Sequence, residues 1–314
     1  MLMANVFHRS KGRSWRLRQQ SLALFQQWQQ ELEAAGYEVP IKRGLWLLAS
    51  NPDQFEKQQL LAGNHKKVGI NLKLITQIEL KKFIKEGDLP DLSDQVCGAI
   101  WSEFDGQLNP KQWMQALLKD SQNYGLEIIN GRIDQIKQDA KGWRLAWEDW
   151  EDKFDWVLIC AGLASEKLIA PLMQDLTTEF KLQPVLGQAL ELELPGIINW
   201  RGSLNWEGFN LVPQGGNRLW LGATLEPGLD NNKTGAISAL EAMQNLNGQA
   251  PDWLQQAKII KTWQGTRAQP INQAAPLLKQ PLPGLFVLAG HYRNGILLGP
   301  ASAAWVYEVL KSKN

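Results

Sequence analysis

Apolar and polar positions along the chain switch repeatedly between a helical period and a strand period. Over residues 14–35, Trp15, Leu22, Phe25, Trp28 and Leu32 lie on one helical stripe and Gly36 ends it, which predicts a helix. Residues 45–49 read as a short strand, 53–62 and 78–86 as helices, and 96–101 as a strand closed by a turn at Asp105-Gly106. Asn109-Pro110 introduces a helix over 111–124, with a strand at 126–129 behind it. Residues 142–147 alternate, and 156–160 form an apolar run that closes on Ala161-Gly162; both predict strands.

From 182 onward the pattern is strand: 184–190, 211–213 and 219–224, with Gly215-Gly216-Asn217 as a hairpin turn. A helix follows at 236–246, then a strand at 258–263 that ends in Gly265-Thr266-Arg267. Residues 285–289 read as a buried strand. The loop His291-Tyr292-Arg293-Asn294-Gly295 comes next, and Gly299-Pro300 opens a helix over 301–311. The order runs from α/β pieces to antiparallel strands and back, so two interleaved units are expected. A glycine-bounded loop between strand and helix is where open α/β sheets place ligands, and the free N–H groups of the helix start favour an anionic group.

Composition narrows the classes of function. Lys+Arg is 33 and Asp+Glu is 32 in 314 residues, which argues against nucleic acid or a polybasic membrane contact as a main partner. The basic residues Arg9, Lys11, Arg13, Arg16 and Arg18 read as a solvated face. With 3 histidines and 2 cysteines and no ligand spacing, no metal site is expected. Cys97 and Cys160 sit in apolar surroundings and read as buried free thiols of a reducing compartment. No apolar run is long enough to span a bilayer, and the stretch before His8-Arg9 is too short for a signal peptide, so a cytoplasmic location is expected. The 15 tryptophans are scattered and suit core or interface positions. Self-association stays open.

The string Gly290-His291-Tyr292-Arg293-Asn294-Gly295-Ile296-Leu297-Leu298, with Pro300 two positions on, closely resembles the C-terminal flavin-binding segment of the glycine oxidase branch of the D-amino-acid-oxidase family. The resemblance implies an α/β fold. In it a doubly wound, Rossmann-like FAD-binding domain, N-terminally incomplete here, is interleaved with an antiparallel-sheet substrate domain. The expected division is 1–37, 104–172 and 263–314 for FAD, and 38–103 and 173–262 for substrate. FAD is the implied cofactor. The implied reaction is oxidative deamination of a small amino acid or amine, by hydride transfer to flavin with oxygen as acceptor.

The resemblance also implies roles. Gly131-Arg132-Ile133 is similar to the stretch whose backbone meets the adenine, and Gly162 ends the second flavin strand. His291, Tyr292, Asn294, Gly295, Ile296 and Leu297 form the flavin shell, with backbone N–H groups of 294–297 toward the flavin C2=O and N1. Trp263-Gln264-Gly265-Thr266-Arg267 resembles the segment whose arginine binds the substrate carboxylate. From the residues alone, Arg267 reads as a surface or ion-paired arginine. Arg293 reads as a second carboxylate ligand, a flavin-edge anchor or a helix cap, and a lone histidine such as His291 hydrogen-bonds locally. No side-chain base is required if the amine binds neutral.

The chain departs from the family at three places. No G-x-G-x-x-G occurs, and residues 1–4 resemble the point where the family continues after its first βαβ unit. Weak or absent FAD retention is therefore expected, with a non-catalytic remnant of the fold as the alternative reading. Asn210 stands where glycine oxidases carry tyrosine, and 268–276 is altered. The pocket is expected to be wider or differently polar unless Trp206 or Phe209 fills the gap.

Overall fold

The computed structural model describes residues 1–173, 180–230 and 235–312. In chain order the elements are α1 (Arg13–Ala34), β1 (Ile41–Ala49), α2 (Pro52–Lys66), β2 (Lys73–Thr76), α3 (Gln77–Glu86), β3 (Gly98–Leu108) and α4 (Pro110–Gln122). Next come β4 (Gln135–Asp139), β5 (Gly142–Trp147), β6 (Trp150–Phe154), β7 (Val157–Ile159) and α5 (Ala164–Ile169). Then follow β8 (Leu182–Glu193), β9 (Ser203–Trp206), β10 (Phe209–Gly215), β11 (Arg218–Gly222), β12 (Glu226–Pro227), α6 (Ile237–Gln244) and α7 (Asp252–Gln255). The chain closes with β13 (Lys258–Pro270), β14 (Leu277–Leu282), β15 (Leu285–Ala289) and α8 (Gly295–Lys311).

The helix starts follow from local chemistry. The Asn51 side chain accepts the Gln54 N–H, Asn109 accepts those of Lys111 and Gln112, and Thr76 and Glu79 form a reciprocal capping box. Among the described residues, nine strands form one large sheet in the order β12-β8-β11-β10-β9-β1-β3-β2, with β13 along the other edge of β8. Its pairings are antiparallel except β1 with β9. Trp46, Leu192, Leu204, Trp206, Leu211 and Met243 bury the main core against one face of this sheet. A small sheet, β14-β15-β7, is parallel at β15–β7, and β4-β5-β6 form an antiparallel meander. A third cluster joins Leu2 and Ala4 to Phe25 and Leu32 of α1, Trp113 of α4 and Leu297 of α8. Phe25 and Trp113 meet edge to face at 5.3 Å. This cluster sets the N-terminal segment beside the start of α8.

Several sequence expectations are corrected. The Asp105-Gly106 turn does not form: β3 runs through it to Leu108. Asp105 is buried, and Gly106 pairs in register with Arg43 while exchanging backbone hydrogen bonds with Leu2 at 2.8 and 3.0 Å. The stretch 126–129 is not a strand; no partner strand lies beside it among the described residues, and its apolar side chains are exposed. Leu158 in β7 is likewise 45% exposed. The last helix starts at Gly295, not at 301, and holds Pro300 inside it. Arg267 lies within a strand rather than beyond one, because β13 continues to Pro270 along β8. Both thiols are free, but Cys160 is exposed and Cys97 half-buried.

Two glycines give opposite expectations. A Cβ at Gly106 would collide with the backbone of Lys42 and Arg43, which no rotamer relieves. Gly106→Ala is expected to destabilise by about 1–3 kcal/mol, as overpacking does. Gly63, exposed inside α2 with open space around it, should give about 0.5–1 kcal/mol of added stability as Gly63→Ala. Urea midpoints of the two variants test the pair.

Candidate active site

A cavity of about 530 Å³ opens where the N-terminal segment, α1, β10 and the start of α8 converge. Met1, Met3, Val6, Phe7 and His8 form one wall, Arg18 and Asn210 border it, and 293–297 form the opposite wall. The first wall hangs on Asp105. Its carboxylate accepts backbone N–H groups of Ala4 at 2.8 Å, Asn5 at 2.9 Å and Val6 at 3.0 Å, and the Ser102 hydroxyl at 2.9 Å. Burial pushes the Asp105 carboxyl up, against the pull of these four donors.

The second wall is set by the turn between β15 and α8. Gly290 sits there at φ 63° and Tyr292 at φ 55°, both in the left-handed region. A Cβ at Gly290 would press on the Pro270 ring. The Ser302 hydroxyl donates to the Leu298 carbonyl at 2.8 Å, so it accepts from Nε2 of His291 at 2.9 Å. That fixes the proton on Nε2. Burial first, and the Arg13 charge second, hold the His291 pKa below its ordinary value and keep the ring neutral. The Ser21 hydroxyl accepts the Ala301 N–H at 3.1 Å and ties α8 to α1. No side chain caps the first turn of α8, so its N–H groups and partial positive charge face the cavity.

Arg267 and Arg293 stand close enough to act on each other. Arg267 lies opposite Val185 of β8, its guanidinium flat against Gly187, where a Cβ would overlap it. Its Nη1 donates to the Thr224 carbonyl at 3.1 Å. Burial, and then the Arg293 charge, hold the Arg267 pKa below its ordinary value. Among the described residues neither arginine forms an ion pair with a carboxylate. Two guanidiniums with no counter-anion make a place for one. Arg267 does not border the cavity itself; it approaches through Arg293 and Tyr292.

Arg293, Asn294, Gly295, Ile296 and Leu297 thus come together at the cavity, with His291 and Tyr292 in the turn behind them. Ile133 packs instead against the core of the small sheet, and Gly162, at φ 58°, follows the end of β7. Neither borders the cavity. Asn210 does, held by a 2.8 Å bond from Asn205 Nδ2. Trp206 is fully buried against Gln249 and Phe209 packs on the main core, so neither fills the space beside Asn210.

Arg18 was expected on a solvated face. It is 6% exposed and lies 3.7 Å over the Phe7 ring. The signal was present: Arg18, Ser21, Phe25 and Leu32 are the buried positions of α1, on one helical stripe. Asp105 had no such signal, since Asp-Gly is also the commonest turn pair.

The residues present fit the ring end of a flavin. The uncapped amides of 295–297 suit its carbonyl edge, and Met1, Met3, Val6 and Ile296 supply apolar walls.

The model of the family described as DAO, FAD dependent oxidoreductase, matches residues 1–309. The glycine oxidase of Geobacillus kaustophilus is 28% identical over 223 residues, which is 70% of this chain and 58% of that protein. The bifunctional protein ThiO/ThiG of Synechocystis is 29% identical over 232 residues, 70% of this chain and 33% of that protein. The crystal structure of the Geobacillus glycine oxidase superposes with a TM-score of 0.82 at 25% identity, covering 98% of this chain and 81% of that one.

Asp105→Asn leaves one acceptor oxygen and brings an amide N–H toward backbone donors. We expect at least tenfold faster hydrogen exchange at Ala4, Asn5 and Val6 and a stability loss of about 1–3 kcal/mol. Unchanged protection of those amides, measured by NMR, would remove Asp105 as the anchor of the wall.

Proposed function

The chain belongs to the FAD dependent oxidoreductase family, and from that membership we propose that it oxidises a small amino acid at the carbon bearing the nitrogen, with oxygen as final acceptor. One observation carries this reading: Arg267 feels the charge of Arg293, neither forms an ion pair among the described residues, and Arg293 precedes the uncapped start of α8. When bound, FAD supplies the two-electron acceptor for the α-C–H.

The remaining work falls to the chain. Arg267 offers a planar fork to the substrate carboxylate, and its bond to the Thr224 carbonyl fixes the orientation. Gly187 leaves the room in which that fork lies flat. Arg293 supplies the second charge. The Asn294 N–H, expected among the flavin donors, is taken by the His291 carbonyl at 3.1 Å, so the amides of 295–297 offer the hydrogen bonds where negative charge develops during oxidation. Met1, Met3, Val6 and Phe7 exclude water from the cavity beside Arg293 and the start of α8. His291, neutral and locked to Ser302, holds the turn and is not placed as a base. Fixing the carboxylate aligns the C–H, and this alignment is the main service required of the protein.

Arg267→Ala in the FAD-loaded enzyme should raise KM for the amino acid by about 30- to 1000-fold, the equivalent of about 2–4 kcal/mol for a truncated charged contact. Gly187→Ala, which pushes the guanidinium aside without removing it, should do the same in part. Unchanged KM in both would remove Arg267 from the site.

Specificity turns on Asn210. With neither Trp206 nor Phe209 filling the space beside it, glycine is not expected to be clearly the best substrate, and Asn210→Tyr should shift preference toward glycine. Peroxide formation over glycine, sarcosine, proline and several D-amino acids measures this. A lead for glycine of more than tenfold in kcat/KM, about 1.4 kcal/mol, would show that Asn210 does not reshape the pocket.

A further inference from the structure

Arg18, on α1, borders the cavity that Arg293 also borders. One face of its guanidinium lies 3.7 Å over the Phe7 ring. Nη1 donates to the Ser14 carbonyl of its own helix at 2.9 Å, while Nε has no partner. No carboxylate among the described residues forms an ion pair with it. His8 stands beside it, its ring 4.4 Å from that of Phe7, and also borders the cavity. Burial first, then the charges of Arg9 and Arg18, hold the His8 pKa below its ordinary value. A buried cation without a counter-charge is unfavourable unless something completes it. Stacking on Phe7 holds the plane but supplies no counter-charge.

We propose that Arg18, with His8 beside it, forms a second anion-binding position in this cavity, one that takes the second acidic group of a dicarboxylic amino acid. The proposal rests on reading the cavity as the substrate site. Arg18 borders the cavity whereas Arg267 does not, so the two arginines are distinct positions. Arg18 and Arg293 border the same cavity of about 530 Å³, so an acidic group held at Arg18 lies in a space that Arg293 also borders. A carboxylate and a phosphate share the chemistry that this position recognises, and the test separates them.

The chain is titrated at constant ionic strength with propionate, malonate, succinate and inorganic phosphate, and the His8 ring signals are followed by NMR. Malonate or succinate should bind at least tenfold more tightly than propionate and raise the His8 pKa. Arg18→Met should bring the dicarboxylates down to the affinity of propionate. Arg18→Lys should keep part of the gain, and circular dichroism reports whether each variant folds. If Arg18→Met fails to fold, Arg18→Gln takes its place in the comparison. Phosphate shifting His8 while the dicarboxylates gain nothing would overturn the substrate assignment in favour of a phosphate position. No shift of His8 with any probe would show that Arg18 only packs. If propionate does not bind but a dicarboxylate shifts His8 in an Arg18-dependent way, the Arg267–Arg293 clamp fails and the Arg18 position stands.

Discussion

A buried carboxylate without a cation holds this site together. Asp105 gathers three consecutive backbone N–H groups from the N-terminal segment and one hydroxyl from its own strand. The segment has no helix and only a single bridging pair, Leu2 with Gly106, to hold it. Its backbone donors are buried and must be satisfied. Asp105 satisfies those of Ala4, Asn5 and Val6 from one side chain, and in doing so fixes where Met1, Met3, Val6, Phe7 and His8 stand. The same interaction explains why an Asp-Gly pair runs straight through a strand instead of turning.

Around that anchor the site is defined by positive charge left without a partner. Arg267 and Arg293 oppose one another, Arg18 is buried on Phe7, and the first turn of α8 is uncapped. Of these, the Arg18 charge, buried without a counter-charge, would be unfavourable in a protein that bound nothing. Arg18, Arg293 and the start of α8 thus put positive charge around one cavity, although the net charge of the chain is only +1.

The surroundings keep this arrangement rigid. His291 is neutral and bonded to Ser302, Ser302 is bonded back to Leu298, and Ser21 of α1 receives the Ala301 N–H. These polar links lie among the apolar contacts of Phe25, Trp113 and Leu297. The turn ahead of α8 can then hold Tyr292 at a positive φ, because packing and hydrogen bonds on both sides determine it.

By itself the sequence determined the elements whose cause is local. The stripe of α1, the Asn109-Pro110 start of α4, the hairpin at Gly215-Gly216-Asn217 and the apolar strand 285–289 were all legible, since each depends on neighbours within a few residues. The string from Gly290 to Leu298 also located one wall of the site and the family to which it belongs. The tertiary structure decided what depends on distant partners. Only folding shows that Asp105 faces residues 4–6, that Arg267 lies in mid-strand over Gly187, and that 126–129 has no strand to pair with. It also decided that Arg18 faces inward. A charge on a helix reads as solvent-facing until the element that covers it is in place, and here that cover is the Phe7 ring, eleven residues earlier and held by Asp105.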